Sequence, residues 1–202
     1  MHKEKTLHQA LEEASQTLDA VRSDRTCLAA VEAFATAAVD CLQGGGHIYA
    51  CGNGGSMTDA MHFAQECTGR FRRSRAALAA TALSDPSQLT CIANDFGFEE
   101  VFARQVEAAA NSRDLLVLIS TSGESENIVR AAETAKAIGV PVVLLTGRDG
   151  GRALKHADVA IIVPRAETSD RIQEVHALLL HAVIEMMEEK LFGEIPDDRP
   201  GR

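Results

Sequence analysis

Residues 47–56 read HIYACGNGGS and residues 114–125 read DLLVLISTSGES. Each is a short apolar run that breaks into glycines or hydroxyl side chains and then gives way to a helical pattern. Short apolar runs alternating with helical segments are the mark of a parallel sheet covered by helices on both faces. The predicted strands are His47–Cys51, Ala77–Leu83, Asp114–Ile119, Val140–Leu145 and Val159–Val163. Between them, helical spacing predicts helices over about Thr58–Cys67, Glu99–Ala110 and Glu126–Ile138, with a short one near Gly151–His156. A long final helix is expected from about Thr168 to Leu191.

Upstream of the first strand, Leu7, Leu11, Ala14, Leu18 and Val21 recur at spacings of four and three, which lays an apolar seam along one helix. A seam this regular suits packing within the chain or a helix-mediated oligomer. A second helix is expected over Arg25–Leu42, with Leu28, Val31, Phe34, Ala35 and Ala38 on one side and a stop at Gly44-Gly45-Gly46. With 202 residues and 46% hydrophobic content, the chain suits one domain over 1–195, followed by a disordered tail, 196–202.

No apolar run reaches 18 residues, and the opening MHKEKTLHQALEE is charged where a signal peptide needs an apolar stretch. A soluble, cytoplasmic protein is therefore expected, with no membrane partner. Five cysteines without a CxxC pair suit reduced, mostly buried thiols. A net charge of −9 opposes nucleic-acid binding, which cationic contacts drive, and the absence of Trp removes a stacking surface.

Ligands of an open parallel sheet sit beyond the carboxyl ends of its strands, where the following helices begin. Gly52-Asn53-Gly54-Gly55-Ser56 and Ser120-Thr121-Ser122-Gly123-Glu124-Ser125 occupy two such ends. Glycines let backbone N–H groups approach an anion, and small hydroxyls add donors, so both loops suit a phosphate or sugar hydroxyls. Neither fits GxGxxG or GxxxxGK[ST], which removes the main support for dinucleotides and nucleoside triphosphates. His62 and Glu66 are four apart on the helix after the first loop; Gln173, His176 and His181 lie on the last helix. These groups could converge on a metal, although their spacing is no local metal motif.

Taken together, YACGNGGSMTDAMHFAQE (49–66), ANDFGF (93–98), STSGESEN (120–127) and DRIQEVHALLLH (170–181) resemble the sugar isomerase (SIS) domain family. Within it they resemble the sedoheptulose-7-phosphate, or phosphoheptose, isomerases. That resemblance implies an α/β fold: a three-layer α/β/α sandwich with a five-stranded parallel, flavodoxin-like sheet, and N-terminal helices for oligomerisation into a homotetramer. It implies a small-molecule sugar-phosphate substrate, D-sedoheptulose 7-phosphate, isomerised for surface-polysaccharide heptose. By motif, Asn53, Gly54, Gly55 and Ser56, with Asn94 and Asp95, would contact substrate; Ser120, Thr121, Ser122 and Ser125 would hold its phosphate. His62, Glu66, Gln173 and His181 match positions that bind zinc in members with metal, and Glu66 and His181 match the proposed base and acid. Arg70 and Asp170 match further positions near substrate.

A carboxylate tied to zinc is a weaker base, so either Glu66 shifts ligation during turnover or the metal is mainly structural. Two features depart from the family: Glu124 stands where many members have Asn, and Met61 replaces a commoner Gln. A carboxylate pointing into the phosphate loop would repel its ligand, so Glu124 is expected to face solvent. The same resemblance leaves room for a non-enzymatic tetramer that binds the replication initiator protein, or an isomerase of another sugar phosphate. His62, Glu66, Gln173 and His181 together favour the enzyme, and the RIQEVH helix favours heptose.

Overall fold

A computed structural model describes residues 6–72, 74–166 and 168–193; the predicted tail, 196–202, lies outside the described residues. Five parallel strands, β1 (Ile48–Gly52), β2 (Ala80–Ala82), β3 (Leu115–Ile119), β4 (Val142–Gly147) and β5 (Val159–Val163), form one sheet in the order β2-β1-β3-β4-β5. Burial decides the strands: every residue of β3 and β4 is buried, as expected when helices cover both faces. Leu115, Val117 and Ile119 turn toward one layer, and Leu116 and Leu118 toward the other.

The first layer holds α2 (Arg25–Gln43), α3 (Gly55–Thr68) and α7 (Ser169–Phe192), joined by Phe34, Phe63, Ile172 and Val183. The second holds α5 (Ala103–Ala109) and α6 (Glu126–Ala137), with α4 (Pro86–Phe96) resting on its rim through Leu89, Ile92 and Ala93. By length and composition alone α2 could cross a membrane, yet its Phe34, Ala35 and Ala38 are fully buried in this core.

The structure departs from the sequence expectations at several elements. The second strand shrinks to three residues, although the flanking Ala79 O and Leu83 N still bond to Ile48 N and Ala50 O of β1. The expected Glu99–Ala110 helix divides into a 3-10 turn, Phe98–Glu100, and α5; near Gly151–His156 only Leu154–His156 are helical, as a 3-10 turn. Helix α4 was not anticipated, although Asp85 caps Gln88 N–H and Pro86 opens it. Finally, the seam on α1 (Leu7–Ser23) is only half used: Val21 is buried, but Leu7 and Leu11 are 76% and 61% exposed. Leu28 is likewise exposed.

Candidate active site

Strand register brings Gly52 level with Ile119, and Ile119 level with Leu145, so the loops that follow emerge side by side. They do so where strand order reverses, between β1 and β3, which is where open α/β sheets bind ligands. Among the described residues, three helices carry side-chain N-caps: α1, α2 and α4, capped by Thr6, Asp24 and Asp85. By contrast, α3, α6 and α7 begin at the loops with no side-chain cap bond. At α7 the Asp170 carboxylate takes the N–H groups of Asp170 and Arg171, whereas those opening α3 and α6 are left for an anion, with the helix dipoles aligned to favour it.

Cross-links hold these three helix starts together. Asn53 and Asn127 exchange amide hydrogen bonds of 2.9 and 2.8 Å, tying the β1 loop to the first turn of α6. The hydroxyls of Thr121 and Ser169 lie 3.1 Å apart, joining the β3 loop to α7. Gln173 donates to Ser56 Oγ at 3.5 Å, and a Cβ on Gly55 would meet the Gln173 amide at 2.8 Å. Gly55 therefore leaves room for Gln173 to reach the start of α3.

The loop after β3 rests backbone to backbone on the turn at 147–153. Gly123 O accepts from Ala153 N at 2.9 Å, and Thr121 O from Gly147 N at 3.2 Å. Gly123 adopts φ +65°, and a Cβ there would lie 1.9 Å from Gly150 O. Within the loop, Ser120 Oγ accepts from Gly123 N and Ser122 Oγ from Glu124 N. Glu124 is exposed and accepts from Arg152 N at 3.0 Å, so its carboxylate leaves the loop as expected.

Further along, α3 and α7 run side by side in the same direction: Gln173 meets Ser56 at one level, and His181 meets His62 at the next. His62 Nε2 lies 2.8 Å from His181 Nε2 and 3.8 Å from Glu66 Oε1, and Phe71 packs on the His181 ring. One imidazole must donate to the other in this arrangement. Gln173 precedes His181 by eight residues, or ~12 Å of helix rise. Three of the four proposed metal ligands thus share one place, with Gln173 further up the groove. Among the described residues, no group of three or more His, Cys, Asp or Glu side chains is gathered closely enough to hold a metal ion.

The remaining predicted residues stand apart. Asn94 and Asp95 are exposed on α4 and bond to each other, with no hydrogen bond to either loop among the described residues. Arg70 is exposed just past α3, and Asp170 is exposed in the first turn of α7, where the Thr168 hydroxyl holds its carboxyl below the usual range. His176 is fully buried: its Nε2 donates to Thr146 O, and burial lowers its pKa to about 4, so it serves the core.

Sequence reasoning missed Asp59 and Asn127. Asp59 lies three residues before His62, so it shares the α3 face; its Oδ2 is buried without a hydrogen-bond partner, and burial raises its pKa against the pull of His62. Both lie inside quoted motifs, but only their tertiary neighbours distinguish them.

An uncapped-helix anion site beside a His–His–Glu groove at the switch point of a parallel sheet defines a sugar-phosphate domain of the SIS type, and an SIS domain model matches residues 9–147. A phosphoheptose isomerase of Sodalis glossinidius is 47% identical over 184 residues, covering 91% of this chain and 95% of the relative. The structure of a phosphoheptose isomerase from Neisseria gonorrhoeae superposes with TM-score 0.82 at 39% identity, covering 91% of this chain and 100% of that one. One from Francisella tularensis does so with TM-score 0.85 at 34% identity, covering 91% and 96%. The chain belongs to the SIS domain family and, within it, to the phosphoheptose isomerases.

Proposed function

We propose that this chain isomerises D-sedoheptulose 7-phosphate to D-glycero-D-manno-heptose 7-phosphate through an enediol, the first step toward heptose for lipopolysaccharide core or another surface polysaccharide. The observation that carries this reading is the convergence of Glu66 and His181, 115 positions apart in the chain, around His62 Nε2. Moving a carbonyl from C2 to C1 requires taking a proton from C1, returning one to C2 and shifting a proton between the two oxygens. Glu66 takes the C1 proton as general base, and His181 serves the oxygens as acid. The phosphate binds at the start of α6, where Ser125 has an uncommitted side chain as N-cap and Ser120, Thr121 and Ser122 line the approach. Asp59 lies in position to act on His62.

A zinc ion is part of this proposal. Two imidazole nitrogens facing each other beside a carboxylate form a chemically suitable donor set, so His62, Glu66 and His181 would hold it, with Gln173 as fourth ligand. When bound, it would supply Lewis-acid stabilisation of the enediolate oxygens. A homotetramer is also proposed; it is supported by exposed Leu7 and Leu11 on α1 and exposed Phe96 and Phe98 at the end of α4, where Asn94 and Asp95 lie. The direct test is incubation of the purified, zinc-supplied protein with sedoheptulose 7-phosphate in deuterated water, with mass spectrometry of the sugar. Formation of aldose carrying solvent deuterium supports the reading; no aldose and no deuterium rejects it.

A further inference from the structure

Arg75 lies between α3 and β2 with its side chain 1% exposed, and its ion-pair partner Glu188 on α7 is 8% exposed. Its Nε donates to Glu188 Oε1 at 2.7 Å. On the other side of the guanidinium, Nη2 donates to the main-chain carbonyl of Glu66 at 2.7 Å, and Nη1 to those of Cys67 and Gly69 at 2.6 and 2.9 Å. Helix α3 ends at Thr68, so Glu66 O and Cys67 O belong to its last turn, which lacks partners further along the helix. A cation there also opposes the negative end of the helix dipole. Arg75 therefore caps α3 through the backbone of the very residue assigned as base.

The other end of the pair is equally informative. Glu188 follows His181 by seven residues, nearly two full turns, so both project from one face of α7. One planar guanidinium thereby spans the helix bearing Glu66 and the helix bearing His181. A buried ion pair is weak evidence of stability, since an apolar pair of like volume often does as well. An apolar pair, however, has no N–H groups to fix the height and rotation of a helix end. The Arg72–Glu185 pair nearby provides the contrast, as both its side chains are at least half exposed.

We propose that Arg75, anchored by Glu188, is a positioning residue that sets Glu66 against His181. This rests on the reading of those two residues as base and acid. Misplacing a reacting group by about 1 Å can cost on the order of 100-fold in rate. The phosphate loop lies on other elements, so binding should change little.

The experiment compares kcat, KM and Tm for sedoheptulose 7-phosphate in the full chain, the Arg75→Lys variant and the Arg75→Met/Glu188→Leu double variant, with Glu66→Gln as reference. The expected result is kcat lower by roughly 10-fold for Arg75→Lys and roughly 100-fold for the folded double variant, with KM within about 3-fold in both. Wild-type kcat in the folded double variant, or a loss confined to KM, overturns the proposal. If the double variant does not fold, Arg75→Lys decides alone: wild-type kcat there overturns it. An inactive Glu66→Gln beside fully active Arg75 variants removes the positioning role only, whereas an active Glu66→Gln removes the acid–base reading and the proposal with it.

Discussion

The phosphate loop and the α3–α7 groove are built on opposite principles. The loop at 120–125 is held by main chain against main chain, on the turn at 147–153, and its one charged residue points away from it. The groove is held by side chains, including a buried ion pair, and its acid and base are titratable groups. A loop whose function resides in backbone N–H groups should tolerate changes of charge and fail on added volume. A groove of imidazoles and carboxylates should behave the other way.

The sharpest way to break this contrast is at Gly123. In Gly123→Ala, a Cβ facing Gly150 O at 1.9 Å and a φ of +65° force the loop off its support. Substrate affinity should fall by ~100-fold or more, on the order of 3 kcal/mol, in a calorimetric titration. Glu124→Asn, one residue on, should leave affinity within ~3-fold, because only an exposed bond to Arg152 N–H is altered.

His176 tests the framework between the two regions, since it ties α7 to Thr146 next to the 147–153 turn. Its folded pKa of about 4 lies below the ordinary 6.5, so the unfolded chain takes up the proton first as pH falls. The neutral ring's contribution is complete above pH 6.5 and is lost between there and pH 4, a total of roughly 3 kcal/mol. Urea unfolding of wild type and His176→Gln across that range should show the loss in the first and not in the second.

A smaller effect is expected at the bridge between loops. Asn53→Ala leaves the Asn127 amide buried without its partner, which should cost about 1–3 kcal/mol of unfolding free energy. The Asn53→Ala/Asn127→Ala double variant should cost less than the sum of the single changes. Smallest is Arg72→Ala, which removes an exposed ion pair to Glu185 and should shift stability by less than about 1 kcal/mol in the same denaturation assay.

The same contrast explains what the sequence disclosed. The loop was legible because its determinants are consecutive: Ser120-Thr121-Ser122-Gly123 follow a fully apolar strand, and local chemistry alone suggests an anion. Four strand positions were also legible, since unbroken runs such as LLVLI can only be buried on both faces. The groove was legible only in halves. His62 and Glu66 share a helix face by spacing, but their meeting with His181 depends on α3 and α7 running in parallel, which no local pattern encodes. Arg75 and Glu188 were invisible for a stronger reason, because a charged residue in a polar stretch reads as solvated until its burial is known. Helix α4 escaped although Leu89, Ile92, Ala93 and Phe96 recur at helical spacing, because the stripe spans only two turns and none of its residues is buried.

Solvent-isotope exchange in Glu66→Gln, paired with calorimetry of substrate binding, tests the division of labour between the two regions most directly. The account predicts that binding of sedoheptulose 7-phosphate stays within about 3-fold of wild type, while deuterium incorporation and aldose formation fall by at least ~10³-fold. Near-normal exchange in that variant would contradict it.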